Sequence, residues 1–184
     1  MDNKARLISY IKEHSFEYSD RPIFKLSSGK MSNFYFNLKK TTHSAEGQYL
    51  IGNLVLDKIQ ELNLKPKAIG GPTMGADPIA FATAYCSYQR QNPIDAFVIR
   101  KEPKPHGMML QIEGNVRAGD NVIIVDDVVT TGQSTIRAIE IAKNAGLNII
   151  AVIIFLDRCE QNGRENIEKS GYPVYSILTI KDFL

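Results

Sequence analysis

Residues 121–134 read NVIIVDDVVTTGQS, which places an apolar strand, an acidic pair and a polar loop in immediate succession. An uninterrupted run of β-branched residues, 122–125, is followed at once by the carboxylates of Asp126 and Asp127. Such a run is typical of a strand that is buried on both faces of a parallel sheet. Because open α/β sheets place their ligands at the carboxyl ends of their strands, we expect a binding site directly after this strand.

The polar loop that follows the acidic pair has the properties of a phosphate site. The backbone N–H groups of residues 128–134 and the hydroxyls of Thr130, Thr131 and Ser134 can point into one small volume, with the positive end of the next helix behind it. The two carboxylates suit sugar hydroxyls or a hydrated Mg²⁺ ion instead. A phosphorylated sugar with a bound metal ion would satisfy all of these groups.

An acidic pair at the end of a strand is, taken alone, more often part of a solvated loop or a helix cap. The ordered succession of acids, hydroxyls and glycine between a buried strand and a helix is more demanding, and it favours a functional site. The chain contains neither a Walker A sequence nor a Gly-x-Gly-x-x-Gly fingerprint. These two common nucleotide-binding loops are therefore excluded.

The composition is that of an ordinary globular protein. With 184 residues, 43% of them hydrophobic and 23% charged, the chain is predicted to form a single domain, residues 1–184. The formal net charge of +2 gives no indication of nucleic-acid binding. No apolar run approaches the roughly 20 residues of a membrane span, and the N-terminal segment lacks the apolar core of a signal peptide. We therefore expect a cytoplasmic protein without a membrane partner.

Hydrophobic periodicity along the rest of the chain predicts alternating helices and strands. Helices are expected at residues 5–14, at 44–62 with Ser44 as N-cap, from an Asp77 N-cap with Pro78 at the first helical position, from about Ile136 to Gly146, and at 162–170. Further strands are expected at residues 67–70, 96–99, 148–156 and 174–178, and a last helical turn at 179–182. This succession predicts an α/β fold in which a mainly parallel central sheet is flanked by helices.

An aromatic segment lies between the first two predicted helices. Residues 23–26 and 33–37 are strand-like, and residues 27–30 between them have the chemistry of a turn, which predicts a hairpin. The aromatic side chains are consistent with core packing and equally with a cap over a neighbouring site. The sequence alone leaves both interpretations open.

Two further loops follow predicted strands and therefore belong to the same edge of the sheet. The segment 100–114 follows the strand at 96–99, has little periodicity, and contains Arg100, Lys101, Lys104 and His106. Basic runs are more often solvated faces, but cations directly at a strand end favour a mobile loop that binds a polyanion. Residues 71–75 form a glycine-rich turn, which is either a second anion site or simply a tight turn.

Four stretches of the chain point to one family of enzymes. Residues 126–134 resemble the phosphoribosyl-pyrophosphate (PRPP) motif of type I phosphoribosyltransferases in general. Arg100-Lys101-x-x-Lys104-x-His106-Gly107, followed by residues 112–114, is similar to the catalytic loop of orotate phosphoribosyltransferases. Residues 26–30 with Phe34-Tyr35 resemble the N-terminal hood of those enzymes, and Asp157-Arg158 resembles their arginine that pairs with the substrate carboxylate. The combination resembles the orotate phosphoribosyltransferase family of pyrimidine nucleotide synthesis.

The resemblance implies a role for each matching residue, and it places the elements of the hood within about residues 1–40. The implied catalytic residues are Lys101, His106, Asp126 and Asp127. The implied PRPP-binding residues are Arg100, Lys101, Lys104, His106, Asp126, Asp127, Val128, Val129, Thr130, Thr131, Gly132, Gln133 and Ser134. The implied orotate-binding residues are Thr130, Arg158, Lys30, Phe34 and Tyr35. No protein group is assigned as a direct metal ligand.

The family also implies a cofactor and partners. Mg²⁺ would be the cofactor, and orotate and PRPP would be the small-molecule substrates. In the family the loop that corresponds to residues 100–114 reaches the active site of the neighbouring subunit, which implies a homodimer. Some members have lysines where this chain has Ser27 and Thr73-Met74, so no lysine role is carried over to these positions.

The implied reaction displaces pyrophosphate from C1 of PRPP by N1 of orotate and gives orotidine 5′-monophosphate. One alternative is a phosphoribosyltransferase for purines, against which Arg158 and the hood sequence argue. Another is a non-catalytic regulator that senses PRPP. Such regulators often carry a DNA-binding helix-turn-helix, for which the roughly 20 residues before the hood are too few.

Overall fold

The structure, a computed structural model, describes residues 2–25, 29, 31–102 and 111–184. The helices are α1 (Asn3–His14), α2 (Lys39–Thr42), α3 (Ala45–Glu61), α4 (Ala76–Gln89), α5 (Gln133–Asn144) and α6 (Gly163–Glu168). The strands are β1 (Phe16–Tyr18), β2 (Phe24–Lys25), β3 (Met31–Ser32), β4 (Phe34–Phe36), β5 (Ala68–Pro72), β6 (Asp95–Ile99), β7 (Ile112–Gly114), β8 (Asn121–Val129), β9 (Asn148–Asp157) and β10 (Val174–Thr179). A 3₁₀ turn, Ile180–Asp182, follows β10.

The central sheet has the strand order β10-β9-β8-β5-β6-β7. β7 runs antiparallel to β6, and all the other neighbouring strands of the sheet are parallel. Residues 122–125 of β8 are each 0% exposed, because this strand has a neighbour on either side and helices on both faces. The predicted α/β fold with a mainly parallel central sheet flanked by helices is confirmed.

The two faces of the sheet carry separate cores. α1, α3 and α4 pack on one face, where Phe155 of β9 is fully buried. α5 and α6 pack on the other face, around Phe97 of β6. Both cores share the same sheet, and a single domain over residues 1–184 stays our prediction. None of the helices in the described ranges combines the length and the apolar character needed to cross a membrane.

β8 is longer than the sequence predicts. We expected the strand to end before the acidic pair, but it continues to Val129. The neighbouring β9 runs beside it, with Val128 opposite Leu156 and Val129 opposite Asp157. The two acids therefore lie within a strand that a neighbour holds in place, and the polar loop begins only after Val129.

The predicted start of α4 is wrong by two residues. The helix begins at Ala76 with Gly75 at the N-cap position, so Asp77 is not the cap and Pro78 is not the first helical residue. The carboxylate of Asp77 instead accepts a hydrogen bond from Thr73 Oγ1 at 2.6 Å. Its side chain is therefore used to fix the glycine-rich turn that precedes the helix.

The predicted loop at residues 100–114 is too long at its C-terminal end. Residues 112–114 form β7, in which Ile112 lies opposite Ile99 and Gly114 opposite Phe97. Ile112 packs against the core that contains Phe97. The packing of Ile112 and the pairing with β6 hold β7 in place. The strand is too short to give a periodic pattern in the sequence.

The hood is paired differently from the predicted hairpin. β2 pairs with β3, whereas β4 leaves that pair and joins β1, which the sequence analysis did not predict. The reason is the burial of Phe36, whose ring centroid lies 4.9 Å from that of Phe16 and 5.1 Å from that of Phe183. Leu26, Ser27, Ser28 and Lys30 of the predicted turn lie outside the described residues.

We predict that Phe183→Ala destabilises the protein by about 3 kcal/mol, because it removes a ring that is 5% exposed and that supports two hood phenylalanines. Urea denaturation followed by circular dichroism measures the change in the free energy of unfolding. The matched control is Leu184→Ala, next to it but 73% exposed, for which a change within about 0.5 kcal/mol is expected. Equal losses in the two variants would contradict the proposed packing.

Candidate active site

Among the described residues, the predicted acidic pair, arginine and first cations of the basic loop lie at the carboxyl ends of the parallel strands. Asp126 and Asp127 lie near the carboxyl end of β8, Arg158 directly follows β9, and Lys101 follows β6. The glycine-rich turn follows β5, the strand between β8 and β6. Because these strands are parallel, their carboxyl ends point in the same direction and bring acidic, basic and glycine-rich segments together.

Asp126 is a buried carboxyl group, 3% exposed, that is surrounded by hydrogen-bond donors. Its Oδ2 accepts hydrogen bonds from Ser134 Oγ at 2.9 Å and Thr135 Oγ1 at 2.7 Å, and its Oδ1 accepts one from Asp127 N at 3.0 Å. Burial, with the neighbouring charge of Asp127 as a smaller cause, raises the pKa of Asp126 to about 7. The donors hold the carboxyl group in one orientation. With this pKa, the group can gain or lose its proton near neutral pH.

Asp127 is held against the glycine-rich turn. Its Oδ1 accepts a hydrogen bond from Val128 N at 2.9 Å. A Cβ atom at Gly75 would lie 2.4 Å from the same Oδ1, so only glycine fits here. Burial raises the pKa of Asp127, and hydrogen bonds and the charge of Lys39 oppose that shift. The position of the Asp127 carboxylate thus depends on the glycine that precedes α4. Its ionised form is favoured by the cation of Lys39 on α2.

The loop after β8 turns sharply into α5. Gly132 has a φ of 79°, a left-handed conformation that favours glycine, and α5 begins at the next residue. From the other side, Asn166 of α6 donates through Nδ2 to Thr131 O at 3.1 Å. The backbone at residues 130–134 is therefore fixed at a helix N-terminus, where N–H groups attract an anion.

Arg158 is buried, 4% exposed, between β9 and the hood. Its guanidinium carbon lies 4.8 Å from the ring centroid of Phe34, and Nη2 donates to Ser32 Oγ at 3.3 Å. On the remaining side, Nε and Nη2 lie 3.2 and 3.4 Å from the two carboxylate oxygens of Glu160. Of the predicted hood residues, Phe34 contacts the arginine, whereas Tyr35 is 40% exposed and stacks on Phe24.

The base of the basic loop is anchored, and its cations begin directly beyond the sheet. Arg100 N donates to Gln111 O at 2.7 Å, and the side chain of Arg100 forms an ion pair with Glu113 at 3.5 Å. Lys101 is exposed at this edge. Lys104 and His106 lie outside the described residues, so their assigned roles stay predictions.

Comparisons with known proteins agree with this arrangement. A family model described as a phosphoribosyl transferase domain matches residues 43–183. The chain is 47% identical over 184 residues to the orotate phosphoribosyltransferase of Aquifex aeolicus (strain VF5), which covers 100% of this chain and 99% of that protein.

The chain belongs to the orotate phosphoribosyltransferase family.

Two solved structures from this family superimpose closely on the fold. The Mycobacterium tuberculosis H37Rv orotate phosphoribosyltransferase in complex with Fe(III) dicitrate gives a TM-score of 0.85 at 32% identity, over 99% of each chain. The same enzyme in complex with PRPP gives a TM-score of 0.79 at 27% identity, over 99% of this chain and 92% of that one. The fold is therefore that of a type I phosphoribosyltransferase, and the chain is an enzyme of the glycosyltransferase class.

The acidic pair, the loop and the arginine lie at neighbouring strand ends, but the sequence did not predict several of the groups that contact them. Glu160, Ser32, Lys39 and Gly75 each contact or influence a predicted site residue. Glu160 could have been found, because it lies two residues after Arg158 at the end of a strand. Ser32 and Lys39 give no local signal, because the hood and α2 reach the site through tertiary packing.

Three of the predicted PRPP-binding residues already have partners within the protein. Val128 and Val129 are paired with β9, so part of their backbone hydrogen-bonding capacity is used within the sheet. The hydroxyl of Ser134, which the sequence analysis pointed at a phosphate, donates to Asp126. The contacts of these residues with substrate stay predictions. The backbone of residues 130–133 lies beyond the part of β8 that is paired with β9.

A metal ion would have to share its ligands with a substrate. The described ranges contain no group of three or more His, Cys, Asp or Glu residues that could hold a metal ion. Asp126 and Asp127 nevertheless fit Mg²⁺, because this ion is usually held by one or two carboxylates together with water and substrate phosphates. Burial raises the pKa of both carboxyl groups, and a bound cation would offset that shift because it favours the ionised carboxylates. The raised pKa values therefore fit a cation site.

We predict that Asp126→Asn removes a pH dependence of stability. The folded-state pKa of about 7 lies above the ordinary aspartate pKa of 3.8, so the stability contribution of this group is complete below about pH 4 and is lost as the pH rises through about 7. Without substrate, the wild type should lose on the order of 2 kcal/mol of stability between pH 5 and pH 8, and Asp126→Asn should lose much less over the same interval. Urea denaturation at both pH values measures this.

The matched control is Asp20→Asn, an exposed carboxylate, which should leave the difference between pH 5 and pH 8 unchanged. Equal pH dependence in the wild type and in Asp126→Asn would show that this carboxyl group is not the one that titrates.

Proposed function

We propose that this chain catalyses the transfer of the 5-phosphoribosyl group from PRPP to N1 of orotate. The products would be orotidine 5′-monophosphate and pyrophosphate, in the synthesis of UMP. The observation that carries the proposal is the meeting of three groups at one sheet edge: the acidic pair on β8, the loop at Gly132, and Arg158 after β9. The full-length similarity to a protein named orotate phosphoribosyltransferase supports the choice of base.

The acidic pair would hold the sugar. The carboxylates of Asp126 and Asp127 accept hydrogen bonds from two vicinal hydroxyls such as those of ribose, and the backbone of residues 130–134 would bind the 5′-phosphate at the start of α5. The Mycobacterium tuberculosis enzyme whose structure was solved in complex with PRPP has the same fold over nearly its whole length. The negative charge of the pair would also stabilise positive charge that develops on the ribose ring as the bond at C1 breaks.

Arg158 would bind the carboxylate of orotate, since its planar guanidinium group suits a planar anion. Nε and Nη2 already face Glu160, so the substrate would approach the remaining edge of the guanidinium group. Phe34 covers one face of that group, and Lys30, Tyr35 and Thr130 complete the assigned orotate residues. A purine has no carboxylate to pair with this arginine, which is the physical reason to prefer orotate.

The departing pyrophosphate would be stabilised by cations at the base of the neighbouring loop. Arg100 and Lys101 supply positive charge at the end of β6, and Lys104 and His106 are assigned to the same task. Mg²⁺, bound to the substrate with the help of the acidic pair, would supply further positive charge to the leaving group. Orotate brings its own anionic nucleophile, so the site requires no separate protein base.

A homodimer belongs to the same proposal. Tyr49 on α3 and Phe81, Tyr85 and Tyr88 on α4 are 53–77% exposed, and a cavity of about 420 Å³ lies between the two helices. Exposed apolar surface of this kind is typical of a protein–protein interface. We propose that a second copy of the chain covers it and receives the loop at residues 100–114.

We also propose a cytoplasmic location, because both substrates are charged and cross apolar bilayers only at high cost.

The proposed activity is tested by following orotate absorbance in the presence of enzyme, PRPP and Mg²⁺, with each component omitted in turn. We expect orotate consumption to require all three components. Parallel assays with hypoxanthine should give no PRPP-dependent product. Turnover of hypoxanthine instead of orotate would favour a purine phosphoribosyltransferase, and PRPP binding without any turnover would favour a regulator.

We predict that two single variants lose different parts of the activity, one the binding of orotate and the other the rate of turnover. Arg158→Ala should raise the KM for orotate by about 100-fold, the cost of one charged hydrogen-bonded pair, and leave the KM for PRPP near the wild-type value. Lys101→Ala should lower kcat by roughly 100-fold or more, because its cation acts on the leaving group. Steady-state kinetics with each substrate varied separately distinguishes them. A loss in Arg158→Ala confined to PRPP affinity would refute its assigned role.

Mixing these two variants tests the dimer as well. A mixed dimer has one complete site, built from the Arg158 of one subunit and the Lys101 of the other. Random mixing in equal amounts should therefore restore about one quarter of the wild-type activity at low orotate concentration. No recovery, with subunit exchange shown by differently tagged chains, would contradict the transfer of the loop to the neighbouring subunit.

A further inference from the structure

The two ends of the basic loop are joined at the edge of the sheet. Arg100 is held there by its main-chain bond to Gln111 and by its ion pair with Glu113. The next residue, Lys101, lies beyond the paired part of β6 and β7, and Gln111 Nε2 is 3.4 Å from its carbonyl oxygen, near the limit for a hydrogen bond. The sheet alone therefore does little to fix the main chain at Lys101.

Arg137 reaches this main chain from α5. Its Nη2 donates to Lys101 O at 2.9 Å, which is the shortest side-chain contact described for that carbonyl group. Because the acceptor is a backbone oxygen, the bond constrains the direction of the chain and does not engage the ammonium group of Lys101. The aliphatic part of Arg137 also lines a cavity of about 150 Å³, together with Pro72, Ile99 and Ala138.

The position of Arg137 on α5 connects the basic loop to the helix turn that holds the acidic pair. Ser134 and Thr135, in the first turn of the same helix, donate to Asp126. Arg137 lies three residues after Ser134, so one stretch of helix contacts both the acidic pair and the first residue of the basic loop. A rigid helical segment of this kind can fix the starting direction of the loop that, in the proposed dimer, reaches the neighbouring subunit.

We propose that Arg137 is a positioning residue for Lys101. By holding the carbonyl group of Lys101, it fixes the direction in which the lysine side chain and the rest of the loop leave the sheet. The inference rests on the role proposed for Lys101 above, and it adds a residue that does not itself touch the reacting atoms.

The test is a double-mutant cycle of Arg137→Met and Lys101→Ala. Methionine keeps most of the aliphatic stem that lines the cavity but cannot donate a hydrogen bond. In the wild-type background, Arg137→Met should lower kcat about tenfold, because a displaced catalytic group loses rate steeply with distance, and it should leave the KM for orotate unchanged. In the Lys101→Ala background the same change should alter kcat by less than about twofold, because a residue that acts through Lys101 has no further effect once that side chain is gone.

Two further variants separate positioning from general damage. Arg137→Lys keeps a cationic donor and should retain more of the kcat than Arg137→Met. Arg164→Met removes the same kind of bond, an Nη2–H to a backbone oxygen at 2.9 Å, but at β10 on the opposite edge of the sheet, and should leave kcat within about twofold of the wild type. Thermal denaturation of every variant verifies that the fold is retained.

The proposal is overturned by an unchanged kcat in Arg137→Met, by equal losses in the methionine and lysine variants, or by a full loss on top of Lys101→Ala. The last result would indicate that Arg137 acts on the substrate directly. Absence of orotate turnover in the wild-type enzyme is a different result, since it would reject the proposed function itself.

Discussion

A carboxyl group buried at the end of a central strand requires hydrogen-bond donors, and Asp126 obtains them from the first turn of α5. Ser134 and Thr135 can donate only if the helix starts close to the strand, and the left-handed backbone at Gly132 makes that short connection possible. The same geometry places the helix N-terminus beside the carboxylates. The proposed anion site and the proposed sugar-binding acids are therefore consequences of one strand–helix connection.

The position of β8 within the sheet brings the other parts of the site to this connection. β9 on one side continues as far as Asp157, so the buried Arg158 follows at the same height as Val129. β5 on the other side leads to Gly75, whose missing side chain leaves room for Asp127. Since the strands are parallel, their order brings these groups to the same end of the sheet, and contacts from the hood and from α5 then orient them.

The sequence predicted the features that depend on local patterns. The apolar run at residues 122–125 predicted a buried strand, and the acids and hydroxyls after it predicted the sheet edge at which the site lies. The hood was predicted as one hairpin, although Phe36 is drawn away from that hairpin by Phe16 and Phe183. Pairing of this kind depends on residues that are distant in the chain, so a local pattern does not reveal it.

The boundary errors have a similar origin. β8 passes through two acids because β9 supplies a partner for its backbone, and Asp77 binds Thr73 instead of capping α4. Arg158 was predicted from a short motif, whereas its contacts with Ser32 and Phe34 required the hood to be in place. Sequence patterns thus identified the groups that would meet a substrate, but did not identify the groups that orient them.

The ion pair between Arg158 and Glu160 has a consequence for the design of inhibitors. An analogue that carries a carboxylate alone would meet an arginine whose charge is already partly balanced by Glu160 at 3.2 Å. A zwitterionic analogue, with an ammonium group placed to reach Glu160 and a carboxylate placed to reach Arg158, would match both partners of the pair. Selectivity could then be obtained from two opposite charges at once, without any need to enlarge the molecule.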